Sequence, residues 1–106
     1  MSVEGVRYAL STYGYGGVPI KASDVAELLR YGDDDKSTDR LTDYSMAAVV
    51  RLADGRFAAV EGGFGCETGW SCQASLSATI HLTEQEAWFN VTRDGRALIL
   101  RAEATS

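Results

Sequence analysis

From Trp70 to Thr83 the chain alternates without a slip: Trp70, Cys72, Ala74, Leu76, Ala78, Ile80 and Leu82 are apolar, and the residues between them are polar. A period of two sends successive side chains to opposite faces of a strand and matches no helix, whose faces repeat every 3.6 residues. The stretch therefore predicts a β-strand with one dry and one wet face. Two apolar runs precede it, Met46 to Leu52 and Phe57 to Val60, separated by Ala53-Asp54-Gly55-Arg56. An Asp-Gly pair between apolar runs predicts a hairpin with a tight primed turn, because that turn needs positive φ at both central residues.

A two-residue turn sets Leu52 opposite Phe57, Val50 opposite Ala59 and Val49 opposite Val60. Placing Cys66 against Cys72 sets Phe64 against Ala74, Val60 against Ala78 and Ala58 against Ile80. One face then carries Ala47, Val49, Ala58, Val60 and Phe64 with the apolar row of the third strand, a coherent core side. The other joins Met46, Ala48, Val50, Leu52, Phe57 and Ala59 to Glu61, Ser75, Ser77, Thr79 and His81. Such a mixed surface is either roofed by the N-terminal helices or open to a partner.

Around this meander the reading is helical. Val3, Val6, Leu10 and Tyr13 recur at helical spacing and predict a first helix to about Ser11, ended by the glycine-rich run to Pro19. Ser23 as a cap, Val25, Leu28 and Leu29 on one face and Gly32 past the end predict a second. Asp33 to Arg40, without an apolar residue, reads as a solvated acidic linker. Thr83-Glu84-Gln85-Glu86 is a capping box, predicting a helix to about Arg93, stopped by Asp94-Gly95. Ala97 to Leu100 reads as a fourth, edge strand. The expected fold class is α+β, an antiparallel three- to four-stranded sheet in the order α-α-β-β-β-α-β. It is read as a single domain over 1–106: a helical pair in 1–32, the linker in 33–43, the meander in 44–82, the helix in 83–94 and the edge strand in 96–101.

The chain has 106 residues, room for one modest core. Its 15 acidic against 10 basic residues leave a charge of -5, which disfavours nucleic acid as a partner. The N-terminus shows no basic-then-apolar leader and no run reaches membrane-spanning length, so a cytoplasmic protein without a membrane partner is expected.

The segment Gly62 to Gln73 is rich in glycine and holds both cysteines. Cys66 and Cys72 are open to three readings: a disulfide, structural thiols packed under Trp70, or metal ligands together with His81. Metal is disfavoured, since the spacing leaves five intervening residues and His81 falls on the opposite face from Cys72. Asp33, Asp35, Ser37 and Asp39 alternate like the first ligands of a calcium loop, but Thr38 stands where glycine is required and Tyr44 where the bidentate glutamate belongs. No metal and no cofactor is assigned. His81 is the sole histidine, and general-base work needs an oriented partner. Glu61, two pairs away on the same face, is the one candidate, so no catalytic residue is assigned.

The run from Ala53-Asp54-Gly55-Arg56 through Cys66-Glu67-Thr68-Gly69-Trp70-Ser71-Cys72-Gln73 to Ser77 resembles a stretch of small uncharacterised proteins of actinobacteria and their phages. It differs in lacking an aromatic residue between Glu67 and Thr68. The resemblance implies a source and brings no activity. The function expected is that of a small acidic, non-enzymatic binding protein, phage-encoded, occupying a surface of a host or partner protein. Tyr44, Val50, Leu52, Phe57 and Trp70 are the expected interface, and Asp33, Asp34, Asp35 and Asp39 an acidic surface. Two alternatives stay open: a small-molecule, metal or enzymatic site on Glu61 and His81, and a homo-oligomer through an exposed sheet edge.

Overall fold

Met46 to Val50 is buried residue by residue, so the run cannot belong to a strand with a wet face. A strand reads as continuously apolar when both sheet faces are covered, and that is its situation in the computed structural model, which describes residues 3–13, 18–38, 41–67 and 72–105, with backbone alone at 13, 42, 66, 67 and 72–74. Its elements are α1 (Val3–Tyr13), a 3-10 turn (Ala22–Asp24), β1 (Val25–Asp35), β2 (Leu41–Leu52), β3 (Phe57–Glu67), β4 (Cys72–His81), α2 (Glu84–Asn90) and α3 (Arg93–Ala104). The four strands form one antiparallel sheet in the order β1-β2-β3-β4. The class is α+β. The order differs from the expected one, with one N-terminal helix, four consecutive strands and two C-terminal helices.

The second helix of the sequence reading is β1. Its pairing with β2 shifts register between Val25 and Glu27 and again between Leu28 and Arg30. Each extra residue stretches the two-residue period to three. Val25, Leu28 and Tyr31 consequently share one face at a spacing that imitates a helix. Beyond Tyr31 the alternation is regular. Asp33 to Asp35 are therefore strand residues, opposite Met46, Ser45 and Tyr44. The expected linker is a hairpin: Lys36 N–H donates to the Asp43 carbonyl at 2.7 Å and Thr38 N–H to that of Leu41 at 2.6 Å.

The β2–β3 turn also departs from expectation. Leu52 N–H donates to the Arg56 carbonyl (2.7 Å) and Gly55 N–H to that of Leu52 (3.0 Å), a three-residue loop closed by a glycine bulge. Only Gly55 has positive φ (91°) among the described residues, whereas the primed turn needs two. The pairing moves by one residue: Val50 lies opposite Ala58, Val49 opposite Ala59 and Ala48 opposite Val60. A slip of one turns every β2 side chain over relative to β3. Met46, Ala48, Val50 and Leu52 thus join Ala58 and Val60, while Ala47 and Val49 join Ala59. The β3–β4 register matches expectation, with Ala58 opposite Ile80, Val60 opposite Ala78 and Phe57 opposite His81.

Two cores result. On one face Val6 and Leu10 of α1, with Ile20, pack on Val25, Met46, Ala48, Val50, Leu52, Ala58 and Val60. On the other, Ala87, Val91 and Ile99 pack on Ala47, Val49 and Ala59. The C-terminal region is helical where an edge strand was expected. Thr92 Oγ1 accepts from Gly95 N–H at 3.1 Å as an N-cap, so Asp94-Gly95 opens α3 instead of stopping a helix. Thr83 caps α2 by accepting from Glu86 N–H at 3.1 Å. No helix among the described residues is long and apolar enough to cross a membrane.

Helix α3 reaches the sheet through Gly32. A Cβ there would stand 2.3 Å from the Leu98 carbonyl carbon and oxygen, which are backbone atoms without slack. Gly32→Ala should therefore lower the free energy of unfolding by about 1–3 kcal/mol. Chemical denaturation followed by far-UV circular dichroism checks this; an unchanged midpoint would mean that α3 does not press on β1.

Candidate functional site

The strands extend beyond the part of the sheet that Val6 and Leu10 cover, and there their alternation lays out a different surface. On the α1 side β1 carries Tyr31, Asp33 and Asp35, β2 carries Tyr44 and Met46, and β3 carries Phe64; Asp35, Tyr44 and Phe64 lie in one row across the sheet. Above them α1 presents Gly5, Tyr8 and Ala9. Gly5 and Ala9 are four apart, hence one above the other on the same helix face, and neither is large enough to fill the space beneath. A cleft of about 360 Å³ remains, lined by these two residues with Tyr8, Tyr31, Asp35, Tyr44, Met46 and Phe64. Tyr8, 66% exposed, stands at its rim.

The polar end of the cleft is an ordered chain. Tyr44 Oη donates to Asp33 Oδ2 at 3.0 Å, and the Tyr31 hydroxyl lies 2.5 Å from that of Tyr44 and 3.3 Å from the same carboxylate oxygen. Since Tyr44 has a single proton and gives it to Asp33, Tyr31 donates to Tyr44. The Tyr44 and Phe64 rings pack with centroids 5.5 Å apart, tilted by 37°. Burial, reinforced by the neighbouring hydroxyl and the Asp33 charge, pushes Tyr31 far above the ordinary phenol range; Tyr44 is raised too, again mainly by burial. Both are neutral donors. Asp35 Oδ1 accepts from Ser37 N–H at 3.0 Å, and hydrogen bonds from Ser37 hold its carboxyl below the usual range. The cleft is thus floored by aromatic rings and edged by carboxylate.

The wall that β1 provides is braced from the far face. Arg30 Nε and Nη2 donate to the two Glu103 carboxylate oxygens at 2.9 and 2.6 Å, and the guanidinium sits 3.7 Å over the Trp88 ring. The pair raises Arg30 and lowers Glu103 from their ordinary values. Strand β1 is tied in this way to both C-terminal helices.

Of the residues expected at an interface, Tyr44 lies in the cleft, with Asp33 and Asp35 beside it. Val50 and Leu52 do not form a surface: they are 0% and 2% exposed, turned into the α1-side core by the glycine bulge. Phe57 packs with Trp88 against the opposite core. Asp34 is on that face as well, 3.5 Å from Lys36 and 3.7 Å from Arg101. Trp70 and Asp39 lie outside the described residues. Cys66 and Cys72 are register partners, as expected, while their thiols lie outside what is described.

Glu61 and His81 share a face but not a site. Glu61 accepts from Thr92 N–H and Thr92 Oγ1, both at 2.6 Å, and so anchors the start of α3; His81 Nε2 pairs with Thr79 Oγ1 at 2.8 Å. Each is committed to a different neighbour. Asp33 and Asp35 stand on a strand, not in a calcium loop, and among the described residues no three His, Cys, Asp or Glu side chains converge on a metal-sized site. Tyr8, Tyr31, Met46 and Phe64 were missed as site residues. The period-two run Tyr31, Asp33, Asp35 was the signal available, masked by the helix-like spacing just before it.

The raised phenols give the fold an alkaline limit. Below pH about 10 Tyr31 and Tyr44 are neutral whether the chain is folded or not. Above it the unfolded chain ionises while the folded one resists, so stability should fall as pH rises from there. Absorbance titration of the phenols should show Tyr31 ionising only on unfolding and Tyr44 ionising above the ordinary phenol value, and Tyr31→Phe should flatten the alkaline loss of stability. Ionisation of every tyrosine near the ordinary value in the folded protein would refute the arrangement.

No family model, no curated protein and no solved structure matches the chain.

Proposed function

We propose that this is a small non-enzymatic binding protein whose cleft between α1 and the sheet receives a lysine or arginine side chain from a basic segment of a partner protein. The observation that carries the reading is the pairing of aromatic floor and carboxylate edge: Tyr8, Tyr44 and Phe64 offer ring faces, and Asp33 and Asp35 stand beside them. A cation with an apolar stem suits both halves, since it packs on the rings while its charge meets the carboxylates. The stem displaces water from apolar surface, and the ring contact adds about 0.5–2 kcal/mol. The net charge of -5 favours encounter with a basic partner and disfavours an acidic one. The resemblance to small actinobacterial and phage proteins supports a phage-encoded origin, and the partner proposed is then a host protein in the cytoplasm.

The test is fluorescence anisotropy with labelled decapeptides rich in Arg and Lys, against the same peptides with Glu in their place. The basic peptides should bind and weaken with added salt. Tyr44→Ala and Asp35→Asn should each weaken them by about tenfold, or 1.4 kcal/mol. Tyr44→Phe, which keeps the ring but releases Asp33, should lose less than Tyr44→Ala. Equal binding of the acidic peptides, or indifference to Tyr44→Ala, would overturn the reading.

A further inference from the structure

The sheet ends in two edges of opposite character. The β1 edge is blunted by the devices that prevent strand addition: two bulges break its register and Asp33, Asp34 and Asp35 charge it. The β4 edge has none of them. Its pairing with β3 runs from Cys72 to His81 without a shift, and from Cys72 to Ile80 it contains no charge and no proline. Among the described residues no strand pairs with its outer side. Straight, uncharged edges are what folded chains avoid unless something uses them.

We infer that this edge is an interaction surface for a second copy of the chain, the two β4 strands pairing antiparallel about a twofold axis into a continuous eight-stranded sheet. Three observations select that occupant. An antiparallel strand is complementary to itself, so one axis satisfies the free backbone groups of both copies and closes the assembly; the blunted β1 edges stop growth at two. Charge points the same way. Two copies at -5 repel, and β4 is the edge at which they meet without opposing carboxylates, whereas pairing through β1 would set Asp33 to Asp35 against one another. The row of side chains agrees as well. Leu76, Ala78 and Ile80 are only half-buried on the core side, and Leu82, 76% exposed, continues their row past the strand end. With the axis perpendicular to the sheet and passing at Ala78, Leu76 abuts Ile80 of the second copy and Ala78 its own counterpart, while Ser77 meets Thr79 hydroxyl to hydroxyl.

This surface is independent of the cleft, and its salt dependence has the opposite sign: screening relieves repulsion between acidic copies but weakens capture of a basic segment. Sedimentation equilibrium of the full chain should give twice the 11.4 kDa chain mass, with association tightening as salt is added. The double variant Ser77→Lys/Thr79→Lys, altering two exposed positions that lie opposite each other across the axis, should sediment as a monomer with an unchanged far-UV spectrum. Hydrogen exchange supplies a second readout, because the outward β4 amides should be protected in the parent and exchange at least tenfold faster in the variant. A parent that stays monomeric up to about 1 mM, a dimer that survives both lysines, a mass above two chains, or fast-exchanging outward amides in the parent would each overturn the inference.

Discussion

Two backbone hydrogen bonds, Leu52 N–H to the Arg56 carbonyl and Gly55 N–H to that of Leu52, decide which way β2 is turned. Closing the loop with three residues instead of two offsets β2 against β3 by one position, and an offset of one exchanges the faces of every β2 side chain. Met46, Ala48, Val50 and Leu52 thereby face α1, and Ala47 and Val49 face the C-terminal helices. The small side chains suit this division. Ala47 and Ala59 let α2 and α3 approach closely, and Gly32 brings the α3 backbone against β1. A two-residue turn would have put Val50 and Leu52 on the Glu61 side, leaving α1 with Ala47 and Val49 as its floor.

What the sequence made legible follows from how local each determinant was. The β4 alternation is written in consecutive residues, and the β3–β4 register follows once Cys66 is set against Cys72, so that part could be read correctly. The β2–β3 offset depends on whether Asp54 takes positive φ, which an Asp-Gly pair permits but does not enforce; only Gly55 does. In β1 two bulges converted a strand period into a helix period over Val25, Leu28 and Tyr31, and tertiary pairing with β2 overrode the poor strand propensity of three successive aspartates. At the C-terminus Gly95 looked like a stop. Its role comes from contact with distant residues: a Cβ there would lie 2.5 Å from Glu61 Oε2, within the pocket where the β3 carboxylate holds Thr92. No local pattern encodes that contact.

The candidate site was half legible for the same reason. Tyr44 and the aspartates could be picked out by type, but their assembly depends on β1 being a strand, and so on the bulges. Once β1 pairs with β2, Tyr31 and Asp33 come to the same face as Tyr44, and the two phenols and the carboxylate form one chain. The chain has a directional consequence. Tyr31 donates to Tyr44 and Tyr44 to Asp33, so the Asp33 carboxylate is held at the polar end of the cleft and leaves it only by breaking the bond from Tyr44. Fixing a charge before a ligand arrives reduces the ordering cost of binding.

A cleft beside an apolar core tends to fill, and here the roof and the floor are each held apart. Arg7 Nε and Nη2 donate to the Val25 carbonyl at 3.2 and 2.7 Å, pinning α1 to the start of β1, while its third nitrogen pairs with Glu4. From that pin the helix runs over the sheet with Val6 and Leu10 buried and Gly5 and Ala9 above the aromatic row. Tilting α1 into the cleft would lift Val6 and Leu10 from Val50 and Val60, exposing full-sized side chains worth about 1.5–3 kcal/mol each in order to bury a methyl group and a glycine. The floor cannot rise, because Tyr31 and Tyr44 belong to paired strands and their hydroxyls are anchored on Asp33. The void therefore follows from placing small residues on one flank of α1 and large ones on the other, and that asymmetry leaves four aromatic side chains, a methionine and a carboxylate lining a space that a ligand can enter.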